Sequence, residues 1–160
     1  MEIRARRAGE GDIATLVGLY RKLEDEQTAL KAMWRLADGL AEPVADSWQA
    51  ALDDAETRLY LGEIDGFALG FLMARLERLL PQAGGERVAA IRLVFTDPEA
   101  RRVGVGEAMI TAAIADLTAA GCRLFDAHVL PGHREAKNFF ESNGFAARSI
   151  VMHHAVGGSM

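Results

Sequence analysis

Arg101-Arg102-Val103-Gly104-Val105-Gly106 follows an apolar run that ends at Thr96 and opens an alanine-rich helical pattern from Glu107 to Ala120. A strand that enters a helix through a glycine loop points unpaired backbone N–H groups at one place, where the helix dipole also favours negative charge. A side chain at Gly104 or Gly106 would hold the backbone away from phosphate oxygens or forbid the dihedrals of the loop. A pyrophosphate is the expected guest, with Arg101 and Arg102 at the rim; a plain strand-to-helix turn is the other reading of the same residues. The sequence has no G-x-x-x-x-G-K-[ST], and G-x-G-x-x-G fails because Met109 stands where the third glycine belongs. Neither a P-loop nor a dinucleotide fingerprint survives.

With 160 residues, half of them apolar, the chain is expected to form one domain over residues 1–160 and to bury about two-thirds of its unfolded surface. Its one cysteine, Cys122, excludes an internal disulfide and a cysteine zinc cluster. That residue reads as a small core filler, and the cytoplasm as the expected home. The N-terminus carries arginines, and no segment approaches the roughly 20 apolar residues that span a bilayer, so neither signal peptide nor membrane anchor is expected. A net charge of -5 argues against general nucleic-acid binding, which needs clustered positive charge. Histidines and carboxylates lack the paired spacing of a metal site, and a G-x-S-x-G elbow is missing.

Alternation from Glu2 to Arg6 predicts a first strand, and apolar residues at Ile13, Leu16, Val17, Leu19, Tyr20 and Leu23 predict a helix to Glu26 with Asp12 as N-cap. Ala29 to Leu40 mixes Met33, Trp34 and Leu36 with charges, and Pro43 precedes a short helix from about Ala45 to Asp53. Thr57 to Ile64 and Phe67 to Leu79 read as antiparallel strands joined by Asp65-Gly66, which supplies the positive dihedrals of a tight hairpin. After a break at Pro81 to Gly85, Arg87 to Thr96 is a third antiparallel strand. Arg123 to Val129 then reads as a strand, Glu135 to Asn143 as a helix and Ala146 to His153 as a last strand. This order implies an α/β (α+β) fold, a mixed, mostly antiparallel sheet with helices on both faces.

The pattern R-x-x-G-x-G, after a strand that ends in Thr96-Asp97-Pro98, resembles the acyl-CoA-binding motif of the GNAT superfamily of N-acetyltransferases. A second stretch, Ala136-Lys137-Asn138-Phe139-Phe140-Glu141-Ser142-Asn143-Gly144-Phe145, is similar to that family's A-x-x-[apolar]-Y-E-x-x-G-F helix and turn. The order of elements matches from Ile3 to His153, and the specific part of the resemblance runs from Val94 to Phe145.

The resemblance implies acetyl-CoA as cosubstrate, direct attack by a primary amine on the thioester, and no covalent enzyme intermediate. It implies that Val94, Phe95 and Thr96 pair with the pantetheine arm, and that Arg101, Arg102, Val103, Gly104, Val105 and Gly106 hold the pyrophosphate, with Val103 packed inward. The Phe95 backbone N–H matches the oxyanion donor. Where the family often has a glutamate base, this chain has Arg92, which cannot accept a proton; Glu86, Glu63 or a water are the alternatives. The family's tyrosine acid is replaced by Phe140, which can pack against pantetheine but has no hydroxyl. The CoA thiolate then leaves unaided or takes its proton from His133, an imidazole that can donate near neutral pH.

Acceptor specificity in this fold comes from the first helices and the hairpin, here Tyr20, Glu24, Asp25, Trp34 and Trp48, and the acceptor is a small-molecule or peptide amine. Glu24 to Glu26 read as a solvated helix end. A CoA-binding sensor without turnover and a small interaction domain without cofactor are the other functional classes the residues allow. The apolar final strand, Ile150 to Met152, could pair across a homodimer.

Overall fold

A computed structural model describes residues 1–30 and 36–158. Five strands form one sheet in the order β1 (Ile3–Arg7), β2 (Thr57–Ile64), β3 (Phe67–Arg78), β4 (Arg87–Thr96) and β5 (Phe125–Ala127). The first four are antiparallel to their neighbours, and β5 runs parallel to β4. The Asp65-Gly66 turn has φ of 49° and 84°, the pair of positive values that matches the twist of a two-residue hairpin. This is the mixed α/β sheet that the sequence predicts.

Helices α1 (Ile13–Leu30) and α2 (Val44–Asp53) cover one face. Leu16, Tyr20, Leu23 and Trp48 meet Leu59, Leu61, Phe71, Met73, Leu93 and Phe95 there. Helices α3 (Val105–Ala119) and α4 (Arg134–Ser142) cover the other face, where Val105, Met109, Ile110, Leu117 and Phe140 meet Tyr60, Leu72, Ala74, Ala89 and Ile91. Cys122 is half-buried beside this second cluster and its thiol donates to the Leu124 carbonyl, 3.3 Å away.

One irregularity decides the geometry of the site. Met73 pairs with Leu93 and Ala74 with Ile91, so Arg92 has no partner on β3. This bulge inverts the facing of β4: Ile91 belongs to one core cluster and Leu93, two residues on, to the other. A bulged strand also bends and twists more strongly, and β4 stays paired with β5 only as far as Ile91, whose carbonyl accepts the His128 N–H at 3.1 Å.

Several sequence expectations are corrected. Ala146 to His153 forms no strand, because the three-residue β5 lends it no backbone hydrogen bond among the described residues. The strand expected over Arg123 to Val129 is confined to Phe125–Ala127. Helix α1 runs on past Glu26 to Leu30. Asp12 sits in a short 3-10 turn ahead of α1, where its carboxylate accepts the Gly9 N–H and both terminal nitrogens of Arg6. Met33 and Trp34 lie outside the described residues.

Candidate active site

The glycine loop stands at the start of α3. Gly104 is the N-cap, with φ of +105°, a value that an L side chain rarely adopts. A Cβ there would meet only Ile3 Cδ1 at 3.6 Å, so conformation rather than space requires the glycine. Gly106 is needed for the opposite reason: a Cβ would come within 3.1 Å of the Phe139 ring on α4. The first helical bond runs from the Ala108 N–H to the Gly104 carbonyl at 2.9 Å, which leaves the N–H groups of Val105, Gly106 and Glu107 without a partner inside the helix. Arg102, just before them, has φ of +67° and no ion pair among the described residues.

Asp97 fixes the approach to this loop. Its carboxylate accepts the Glu99 N–H at 3.1 Å and the Lys22 ammonium of α1 at 2.6 Å. Those two interactions, Lys22 foremost, hold the Asp97 pKa below the ordinary carboxylate value although the residue is buried.

Beyond Ile91 the two parallel strands part, and the backbone of β4 has an open side. Asp97 donates its N–H to the Leu69 carbonyl of β3 at 2.7 Å. Facing alternates along an antiparallel ladder, so Phe95 also turns its peptide toward β3, while Val94 and Thr96 turn theirs to the open side. The Phe95 N–H, expected as the oxyanion donor, therefore belongs to the sheet.

A cleft of about 690 Å3 lies along that open side. Val94, Phe95, Thr96, Arg101, Arg102, Gly104, Gly106 and His133 all line it. Three expected residues do not. Val103 is solvent-exposed instead of inward, because the left-handed Arg102 turns the loop outward. Val105 is buried under β2, where a Cβ on Gly62 would strike its Cγ1. Phe140 is buried between Phe139 and Phe145, and Phe139 forms the apolar wall of the cleft.

Arg101 does more than stand at the rim. Its Nε donates to the Thr96 carbonyl at 2.8 Å, Nη2 to Glu26 at 2.5 Å and Nη1 to Glu135 at 3.3 Å, and its guanidinium lies 5.6 Å from the centre of the Phe95 ring. It braces α1, β4 and α4 around the cleft. Glu26, read from sequence as part of a solvated helix end, faces the cleft and lies 3.8 Å from His133 Nε2. Helical spacing from Leu19 and Leu23 was the available signal, since a residue at i+3 or i+7 shares their inward face.

A second cleft of about 430 Å3 adjoins the first and is lined by Gln27, Asp38, Arg92, His128, Val129, Leu130 and His153, among others. Glu26 and Gln27, consecutive on α1, line one cleft each. The bulge residue Arg92 is held by Glu77 through Nε at 2.7 Å and Nη2 at 2.6 Å, while Nη1 lies 3.4 Å from Asp38 and 3.2 Å from His128 Nδ1. A guanidinium only donates, so this contact is a hydrogen bond only where Nδ1 accepts. The Arg92 contact holds the Glu77 carboxyl below its ordinary pKa. Glu86, weighed as a base, pairs with Arg123 instead, and Glu63 with Arg6; neither lines either of these two clefts.

Solved structures with the same fold include the aminoglycoside acetyltransferase AAC(6')-Iy in complex with the bisubstrate analog CoA-S-monomethyl-acetylneamine. It is 18% identical, with a TM-score of 0.75 over 97% of this chain and 98% of that one. The tetramutant of BH1408 protein from Bacillus halodurans is 19% identical, with a TM-score of 0.80 over 97% and 99%. A transcriptional regulator from Bacillus halodurans C-125 is 23% identical, with a TM-score of 0.72 over 96% and 100%. No curated protein matches the chain in sequence. The model of the acetyltransferase (GNAT) family matches residues 19–145, a span that takes in the C-terminal two-thirds of α1, the bulged β4, the glycine loop and the Phe139–Phe145 turn. The chain belongs to the GNAT family of acetyltransferases.

Proposed function

We propose that this protein transfers the acetyl group of acetyl-CoA to a primary amine by direct attack, with the acceptor entering through the second cleft. The observation that carries this reading is the parting of β4 and β5 beyond Ile91. It opens the peptides of Val94 and Thr96 to the first cleft, two residues or more along β4 from Arg92 in the second. Acetyl-CoA, when bound, supplies the thioester; the chain's residues do the rest.

The unpartnered N–H groups at Val105 to Glu107 and the free Arg102 guanidinium suit a pyrophosphate. A Val94 or Thr96 N–H stabilises the charge that develops on the carbonyl oxygen. The acceptor arrives as an ammonium, and the Asp38 carboxylate in the second cleft favours a cation. Two protons must leave the nitrogen, one before attack through water or a neutral imidazole and one as the amide forms, and the second balances the proton that the sulfur takes. As the C–N bond forms the C–S bond breaks, and His133 at the wall of the first cleft is the residue placed to protonate the departing sulfur. Phe140 cannot take that part from inside the core.

AAC(6')-Iy and its aminoglycoside-modifying neighbours support a small polyamine-like acceptor. The single cysteine and the lack, among the described residues, of a helix long and apolar enough to cross a membrane fit a cytoplasmic enzyme. Calorimetry with acetyl-CoA and CoA tests the first cleft, and release of free thiol with a panel of amines tests turnover. Micromolar binding with amine-dependent thiol release is expected. Binding without release from any amine would favour a CoA sensor, and no binding would remove the assignment.

A further inference from the structure

The second cleft is built of two kinds of surface. Leu36, Ala37, Val129, Leu130, Pro131 and Val151 give it apolar walls, and its polar lining is confined to Gln27, Asp38, Arg92, His128 and His153. A guest that fills about 430 Å3 between such walls is mostly hydrocarbon, because a hydroxyl against them would lose its water and gain no partner.

The polar groups select the sign of the guest's charge. Arg92 is committed to Glu77, to which Nε and Nη2 donate at 2.7 and 2.6 Å. Its remaining nitrogen, Nη1, stands 3.4 Å from each oxygen of Asp38, a long contact that leaves room for a closer donor. A cation between two carboxylates leaves a negative charge over, and Asp38 presents it to the cleft. Gln27, on the α1 wall, has a buried side-chain oxygen that no donor meets among the described residues, although buried polar groups are ordinarily paired. Both groups are acceptors, and an ammonium brings three N–H donors.

The nitrogen held there is not the one that reacts. A carboxylate partner favours the charged form of an amine, and an ammonium has no lone pair to offer a thioester. The Val94 and Thr96 peptides open to the first cleft, whereas Asp38 lines the second. Building on the acetyl transfer argued above, we propose that the acceptor is an unbranched aliphatic diamine. One amino group stays an ammonium at Asp38 and Gln27, the hydrocarbon stem lies along the apolar walls, and the other amino group attacks where β4 and β5 part. At that end the C–N bond forms as the C–S bond breaks, and the nitrogen releases two protons, one to the sulfur and one to solvent.

Thiol release from acetyl-CoA by the full chain tests this with diamines from diaminopropane to diaminohexane, the monoamines of matching length, and glucosamine. The best diamine should exceed its monoamine in kcat/KM by at least about tenfold, the effect of one charge-assisted hydrogen bond, and should exceed glucosamine by at least as much. Asp38→Asn should bring the ratio of diamine to monoamine close to unity, and the series on the wild-type chain does not depend on that variant. Calorimetry of the best-binding diamine on CoA-saturated protein separates this inference from the transfer reading. Diamine binding that Asp38→Asn weakens, without thiol release from any amine, would remove the transfer and keep the diamine site. Thiol release from monoamine or glucosamine as efficient as from every diamine, or a diamine preference that survives Asp38→Asn, would overturn the diamine and keep the transfer. Neither binding nor release would overturn both.

Discussion

Arg101 Nη2 lies 2.5 Å from Glu26 Oε2, tying the residue that opens the glycine loop to the first helix across the mouth of the cleft. Two consecutive arginines thus have different tasks. Arg101 is spent on protein contacts, whereas Arg102 has its charge available. Arg101→Ala should cost about 1–3 kcal/mol, since it strands the mostly buried Glu26 carboxylate and the Thr96 carbonyl. Urea denaturation checks this.

Arg102→Gly should separate binding from folding. Glycine relieves a left-handed φ of 67°, so stability should hold or rise by up to about 1 kcal/mol. Affinity for acetyl-CoA should fall about tenfold through loss of a charge-assisted phosphate contact. Equal affinity by calorimetry would show that the backbone alone holds the pyrophosphate.

Neighbouring phenylalanines on α4 should answer oppositely to the same change. Phe140→Tyr forces a hydroxyl into an apolar cluster and should cost about 1–3 kcal/mol, visible as a lower melting temperature. Phe139→Tyr puts the hydroxyl into the cleft and should leave the melting temperature near that of the wild type.

Acid should unfold the protein through a defined set of carboxylates. Asp12, Asp97 and Asp126 all have pKa values held below normal, chiefly by hydrogen bonds from Arg6, Lys22 and Arg148, respectively. The unfolded chain binds these protons more readily, so their contribution is full above the ordinary carboxylate pKa of about 4 and is lost as pH falls through the lowered values. Asp97→Asn should flatten part of that slope in stability measured against pH.

At the alkaline end both tyrosines resist ionisation. Burial is the main cause at Tyr20 and at Tyr60, and Tyr60 also donates to Asp116 at 2.6 Å. Raised folded values mean stability that is present below about pH 10 and lost above it. Absorbance at 295 nm should stay flat through pH 10 and rise only with unfolding; an earlier rise would contradict the burial of one ring.

Much of this was legible in the residues because it is local. The Asp65-Gly66 hairpin, the α1 stripe and the Gly104 cap each follow from a few adjacent side chains and their dihedral needs. What escaped depends on register or on partners far away in sequence. The N–H direction at Phe95 was misread because an unpaired Arg92 cannot be seen without β3 beside it. Glu26 was assigned to solvent because its partners, Arg101 and His133, arrive from other elements. Ala146 to His153 has the composition of a strand, but composition cannot supply a ladder partner.

The bulge at Arg92 also bears on how such a site can arise. Without that residue, Ile91 and Leu93 would be consecutive and would still face opposite clusters, so the core would be unchanged. The strand would then run straight and could zip to β5 past the present fork. One extra residue in one strand thus separates two strands whose packing against the core it leaves untouched, and the cleft along β4 begins where they part.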